Sequence, residues 1–192
     1  ANREYCTRRG CTDSAPQAGE DVDIPDQEYE RLIEKVEIFA DALDAGYTAD
    51  PLVLTSDEVA ALIRREVQAE LNNGSDGPSA RLWLRIEGHQ LKGPVSISTD
   101  ELAVGWLAGL QGRYLNGVAS MDVWHADSQI WVRLADFQID GETIPGWALD
   151  GLQDAIDIAM ADSRELRDLG RKLGGLELYD GKATIRLKDR AR

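Results

Sequence analysis

The apolar residues in the first third of the chain recur at the spacing of an α-helix. Between Asp26 and Ala45 they fall at positions i, i+3, i+4 and i+7, with a proline before this stretch and a glycine after it. A second stretch begins at Thr55, which has the spacing of a capping box with Glu58, and it ends near Leu71. The pattern therefore predicts two amphipathic helices in the N-terminal part of the chain.

The apolar spacing then changes to the alternation that is typical of strands. Between Arg81 and Glu87 every second residue is a leucine or isoleucine. A tight turn at Gly88 and His89 would place Ile86 opposite Leu91, so that one face of the hairpin stays apolar. We predict a hairpin here.

A second hairpin is predicted around a turn at Asp127 and Ser128. With this turn, one face of the hairpin is apolar, and the other carries an aromatic pair next to a pair of opposite charges. The pairs are Met121 with Leu134 and Val123 with Val132 on the first face, and Trp124 with Trp131 and Asp122 with Arg133 on the second. Beyond Leu134 the apolar phase shifts, which predicts a β-bulge near Ala135 and Asp136.

The C-terminal part returns to helical spacing before it ends in strands. One helix is predicted over 147–161 and a shorter one up to Gly174 and Gly175. The turn at Asp180 and Gly181 predicts a third hairpin.

Together these elements predict an α+β fold. We expect an antiparallel sheet of about six strands in three hairpins, packed with two N-terminal helices and with one or two helices before the last hairpin. Residues 1–24 lack apolar periodicity and are predicted to be a flexible acidic and polar leader, and residues 25–192 a single α+β domain.

The charge of the chain narrows the classes of partner. Asp and Glu number 35 against 21 Lys and Arg in 192 residues, which gives a formal net charge of −14. Nucleic-acid binding requires clustered basic residues, so we expect no nucleic-acid partner. No stretch reaches the roughly 20 apolar residues that span a bilayer, so membrane contact is expected only through a removed or absent N-terminal anchor.

The two cysteines, Cys6 and Cys11, lie close together in the polar opening segment. A disulfide between them would suit an oxidising compartment, two free thiols are the alternative, and a metal site would need two further ligands. The chain starts at Ala1, so we expect a processed or shortened form of a longer chain. The predicted location is extracytoplasmic, in the periplasm or cell envelope, with a membrane tether in the full-length form.

Few residues point to catalysis. The only histidines, His89 and His125, lie at a predicted turn and a strand end, and neither has the spacing of zinc ligands. The chain contains no glycine-rich phosphate loop, so we expect no metal and no cofactor. Pairs of carboxylates such as Glu142 and Asp150 leave a carboxylate-dependent hydrolase of unknown substrate as an alternative.

Three tryptophans and three arginines share the sheet face opposite the main aliphatic residues. They are the candidate ligand- or partner-binding residues: Trp83, Trp124, Trp131, Arg81, Arg85 and Arg133. Either helices cover this face and the tryptophans form a second core, or the face is an exposed aromatic and basic patch of the kind found at interfaces.

Parts of the chain resemble small membrane-anchored bacterial envelope proteins, including the tubular lipid-binding (TULIP-like) lipoprotein domains. The resemblance rests on the helix opening Leu54–Ile63, on the strand run Gly112–Gly117, and on a late helix before a final strand pair. It implies a curved sheet wrapped around a helix and an apolar ligand. The residues contain no lipobox.

These observations predict a non-catalytic extracytoplasmic domain. It is expected to bind a protein partner or an apolar ligand, such as a lipid, through its sheet and flanking helices.

Overall fold

The computed structural model describes residues 12–13, 15, 19, 24–47, 49–67, 80–100 and 112–188. In these ranges the chain forms four α-helices, one π-helical turn and ten strands in two antiparallel sheets. The predicted α+β class is confirmed, although there are more strands than the six expected.

The helices are α1 (Asp26–Ala45), α2 (Ser56–Leu62), α3 (Gly146–Asp162) and α4 (Arg164–Lys172), and a π-helical turn (Ile63–Val67) follows α2. The N-terminal strands are β1 (Thr12–Asp13), β2 (Leu52–Thr55), β3 (Ala80–Leu82), β4 (Arg85–Glu87) and β5 (Gln90–Ser98). The remaining strands are β6 (Tyr114–Ala126), β7 (Gln129–Ile139), β8 (Glu142–Thr143), β9 (Leu173–Tyr179) and β10 (Lys182–Leu187).

The large sheet has the strand order β3-β5-β6-β7-β8, with β4 also paired to β5 and β1 to β6. The predicted register of both its hairpins is confirmed: Ile86 pairs with Leu91, and Trp124 pairs with Trp131. The register shifts between Ser120 and Met121, so the predicted bulge at Ala135 is also confirmed.

The small sheet, β2-β10-β9, contains the third predicted hairpin and one strand that was not predicted, β2. Leu52, Val53 and Leu54 are all apolar, so the sequence of β2 does not alternate, and the strand is identified by its pairing with β10. The last helix also ends earlier than expected, at Lys172, and Leu173 already belongs to β9. Gly174 lies against the backbone of Leu187, which shows that strand pairing with β10 replaces the last helical turn.

Two apolar cores lie on the same face of the large sheet. The first packs α3 against the sheet and includes Leu115, Ala119, Leu134, Phe137, Ala148 and Leu152. The second joins α1, α2 and the small sheet to the β4–β5 hairpin and includes Leu32, Phe39, Leu54, Ile86, Leu173 and Ala183. The two cores thus cover one face of the large sheet, and we call the opposite face the outer face.

A side chain of α3 occupies the edge of β7 where a further strand would pair. The Gln153 Oε1 accepts a hydrogen bond from the backbone N–H of Leu134 at 2.7 Å, and its Nε2 donates to the carbonyl of Val132 at 3.1 Å. The same Nε2 donates to Asp157 at 2.7 Å. Gln153 therefore satisfies backbone groups that an edge strand otherwise leaves unpaired.

We expect Gln153→Ala to lower the free energy of unfolding by about 1–3 kcal/mol, because it leaves partly buried backbone groups of β7 without their partners. Denaturant unfolding of the wild type and the variant measures this. Asp154→Ala, at the neighbouring exposed position of the same helix, is the matched control and should change stability by less than about 0.5 kcal/mol. Equal stability of the two variants would show that the bonds from Gln153 contribute nothing.

Candidate functional site

The six predicted site residues all lie on the outer face of the large sheet. Directly paired residues of antiparallel strands point to the same side of a sheet, and alternate residues of one strand share a side. The observed pairs, Trp124 with Trp131 and Asp122 with Arg133, therefore share the outer face, and the register across β5 places Arg81, Trp83 and Arg85 on it too.

These residues are spread along the outer face rather than gathered in one patch. Trp83 donates its backbone N–H to the carbonyl of Pro94, which pairs with Val118. Val118 and Trp124 are six positions apart on β6, which corresponds to about 20 Å. Arg81 and Trp83 thus lie towards one end of the outer face, and Trp124, Trp131 and Arg133 lie at the other. Arg85 lies between them, because its partner Lys92 pairs with Ser120, two positions from Asp122.

The N-terminal segment contacts the outer face at the Trp83 end. A Cβ added to Gly19 would come within 2.4 Å of the Trp83 indole, so the backbone there lies directly against the ring. Asn116 donates to the Asp13 carboxylate at 2.9 Å, and Arg113 donates to the Thr12 hydroxyl at 2.7 Å. Trp83 is accordingly half-buried, with part of its ring covered by the segment that the sequence assigns to the leader.

At the opposite end, Trp124 and Trp131 form an exposed stacked pair, which we call the Trp pair. Their ring centroids are 6.4 Å apart with an interplanar angle of 15°. Trp124 is 38% exposed and Trp131 is 43% exposed. The indole N–H of Trp131 donates to the carbonyl of Ala126 at 3.2 Å, which orients this ring. The two rings are held in place and remain open to solvent.

An ion pair lies next to the Trp pair on the same two strands. The Arg133 Nε donates to Asp122 at 3.0 Å, its terminal nitrogen contacts the same carboxylate oxygen, and Gln90 donates to the other oxygen at 2.8 Å. The hydrogen bond from Gln90, and then that from Arg133, lowers the pKa of Asp122 below its ordinary value. The carboxylate is therefore ionised at neutral pH.

An open hollow of about 530 Å³ separates this part of β6 from β9, and we call it the β6–β9 hollow. It is lined by His89, Asp122, Val123, Trp124, Arg133, Leu176, Glu177 and Leu178. Glu177 pairs with Arg186 at 2.7 Å, and this interaction lowers the pKa of the Glu177 carboxyl. The hollow thus combines apolar side chains with ionised groups.

A second hollow, of about 400 Å³, lies on the other side of the Trp pair, between β7 and the end of α3 with α4. We call it the β7–α4 hollow. Its lining is mainly apolar, with one acidic and one basic residue: Gln129, Ile130, Trp131, Val132, Asp157, Met160, Ala161, Leu166 and Arg167. Trp124 lines only the first hollow and Trp131 only the second, so the Trp pair is the ridge between them.

Sequence patterns did not reveal the other walls of the two hollows. Leu176, Glu177 and Leu178 belong to the small sheet, and Met160 and Leu166 belong to two helices. Their place beside the Trp pair depends on how the layers pack, which local spacing does not encode. The sequence predicts His89 at a turn, and the structure places it in the lining of the β6–β9 hollow.

Other candidate positions contribute little to this site. Cys6 and Cys11 lie outside the described residues, so the disulfide remains a prediction. His125 contacts the carbonyl of Gly170 at 2.8 Å and connects β6 to α4. Within the described ranges, no group of three or more His, Cys, Asp and Glu side chains is placed to hold a metal ion.

No protein-family model, curated protein or solved structure matches this chain. Among the helices of the described ranges, none combines the length and the apolar character that crossing a membrane requires.

We expect Asp122→Asn to destabilise the protein by about 1–2 kcal/mol at pH 7, because it removes the charge that Gln90 and Arg133 stabilise. The folded pKa of Asp122 lies below its ordinary value of 3.8, so this stabilisation is present above that pH and is lost as the pH falls through the folded pKa. Unfolding measured between pH 7 and pH 2 should show the two stability curves converging at acid pH.

The control for this experiment is Glu177→Gln, which removes one charge of a solvent-exposed pair and should leave stability nearly unchanged. A stability difference between the wild type and Asp122→Asn that does not vary with pH would contradict the role assigned to the ionised carboxylate.

Proposed function

We propose that this chain is a non-catalytic binding domain, and that the Trp pair is the centre of the surface that contacts a protein partner. The observation that carries the proposal is that two stacked tryptophans stay exposed on a sheet face whose opposite side holds both cores. Tryptophan and arginine are enriched at protein interfaces and dominate the binding energy there.

The surroundings of the Trp pair support this proposal. Asp122 accepts hydrogen bonds from both Arg133 and Gln90, which orders these three side chains within the chain itself. A partner that covers the Trp pair would find these side chains already ordered, so it would pay less conformational entropy on binding. Apolar rings with a rim of paired charges are typical of an interface centre.

A protein partner fits the geometry better than an enclosed lipid. The space between α1 and the small sheet is filled by core side chains such as Leu32 and Phe39. The cavity beside α1 is lined largely by charged residues, including Glu28, Arg31 and Lys35. Both hollows beside the Trp pair are open and carry charged groups, which suits a protein surface more than an acyl chain.

The hydrolase alternative is less well supported. A hydrolase that uses two carboxylates needs one carboxyl with a raised pKa to act as the acid. Asp122 and Glu177, the two carboxylates in the β6–β9 hollow, both have lowered pKa values. Hydrogen bonds from Gln90 and then Arg133 lower that of Asp122, and Arg186 lowers that of Glu177. The extracytoplasmic location, the N-terminal tether and the absence of a nucleic-acid partner remain part of the proposal as expected from the sequence.

We expect a photo-crosslinking residue placed at Gln129, beside the Trp pair, to give a discrete crosslinked product in the organism that makes the protein. The same residue at Lys182, an exposed position on the small sheet, is the control and should give no such product. Adding Trp124→Ala and Trp131→Ala should abolish the product, because truncating interface tryptophans typically costs about 2 kcal/mol or more each.

The double substitution should lower the melting temperature by less than about 5 °C, because a stacked exposed pair contributes only about 1 kcal/mol to folding. Equal crosslinking from both positions, or a product that survives the double substitution, would rule out this surface. A large loss of thermal stability would show that the Trp pair acts as core.

A further inference from the structure

Four residues of the N-terminal segment lie on the large sheet at the Trp83 end, and we call them the N-terminal strap. They are Thr12, Asp13, Ala15 and Gly19. Asn116, on β6, donates to the Asp13 carboxylate at 2.9 Å and to the carbonyl of Ala15 at 3.2 Å. Gly19 lies against the indole of Trp83, which directly follows β3 on the other side of β5. The strap is therefore attached to the outer face at two points, one on each side of β5.

Ser96, on β5, lies between these two attachment points. It pairs with Asn116 on one side and with Arg81 on the other, so its side chain points to the outer face. The residue is 0% exposed, and among the described residues its Oγ is the only fully buried side-chain oxygen or nitrogen without a hydrogen-bond partner. A buried hydroxyl without a partner is costly, and access of water to it would remove that cost.

Little apolar burial holds the strap in place. None of its four residues belongs to either apolar core, and only Thr12 among them is buried. Its strand pairing with β6 is limited to Thr12 and Asp13. Segments with few buried apolar contacts open locally at a lower free energy than the core elements of the same protein.

From these observations we infer that the N-terminal strap is a releasable cover of the outer face. Hydrogen bonds from Asn116 and Arg113 hold the strap closed, and the unpaired hydroxyl of Ser96 opposes closure. Opening of the strap exposes Trp83 and Ser96 to solvent while both apolar cores stay intact.

Opening would enlarge the surface that the proposed function assigns to a partner. A specific protein interface usually buries about 800 Å² on each partner, whereas two tryptophans supply at most about 500 Å². Trp83 lies on the same face as the Trp pair, and the strap covers only the Trp83 end. This consequence rests on the proposed function, whereas the opening itself does not.

Thiol labelling of Ser96→Cys in the full chain measures the opening. The thiol at position 96 reacts with iodoacetamide only while the strap is open, and digestion with mass spectrometry separates its label from those of the native Cys6 and Cys11. Ala119→Cys, in the core that packs α3 against the sheet, is the matched control, because global unfolding is needed to expose it. We expect position 96 to be labelled at least about a hundredfold faster than position 119.

Two further substitutions should shift the opening in opposite directions. Asp13→Ala, at an exposed position, removes an acceptor of Asn116 and should raise the labelling rate at position 96 about tenfold, without a change at position 119. Ser96→Ala removes the unpaired hydroxyl and should slow hydrogen exchange of the β1 amides at least about threefold. Ser120→Ala, at a buried serine on the same face of the sheet, is its control and should leave that exchange unchanged.

Three results would overturn the inference. Equal labelling at positions 96 and 119 would show that only global unfolding reaches Ser96, and labelling at the rate of a fully exposed thiol would show that the strap does not close. Rates that neither Asp13→Ala nor Ser96→Ala alters would show that these contacts do not control the strap. Crosslinking from Gln129 tests only the proposed function, so either proposal can fail while the other stands.

Discussion

The turn at Asp127 and Ser128 fixes the register on which the outer face depends. Both residues have positive φ angles, 52° and 60°, as a type I′ turn requires, and the twist of this turn matches that of the strands it joins. It sets Trp124 opposite Trp131 and Asp122 opposite Arg133. A slip of one residue would turn all side chains of one strand to the other face, which would bury charge against the α3 core.

The bulge at Ala135 allows β7 to contact the apolar core along its whole length while it keeps the register set by the turn at Asp127 and Ser128. The extra residue shifts the alternation of side chains along β7 by one position. Leu134 and Phe137 therefore both face α3, although they are an odd number of positions apart. The Phe137 ring packs over Gly117, where an added Cβ would come within 2.4 Å of it. The turn and the bulge together allow one hairpin to carry an apolar face along its whole length and a polar, aromatic face at its end.

How far the sequence predicts this protein depends on the distance along the chain between interacting residues. Some pairs are joined by two-residue turns, and alternation and turn chemistry alone predict them. Examples are Trp124 with Trp131 and Leu178 with Ala183. Local patterns do not predict the contact of Gly19 with Trp83 or the position of Glu177 beside Trp124. Both depend on packing between elements far apart in sequence. The hairpin could thus be predicted, but the hollows on either side of it could not.

The residues on the two faces of the large sheet differ in how much they contribute to the stability of the fold. On the core face, apolar side chains gain stability by burial, at about 25 cal/mol per Å². At the Trp-pair end of the outer face, Asp122 accepts hydrogen bonds from Arg133 and Gln90, so the polar groups there need no further layer. While the Trp pair remains exposed, neither burial in a core nor hydrogen bonding between side chains stabilises it much. Its large apolar area is buried only when another molecule covers it, which is why we propose that binding occurs at this end of the sheet.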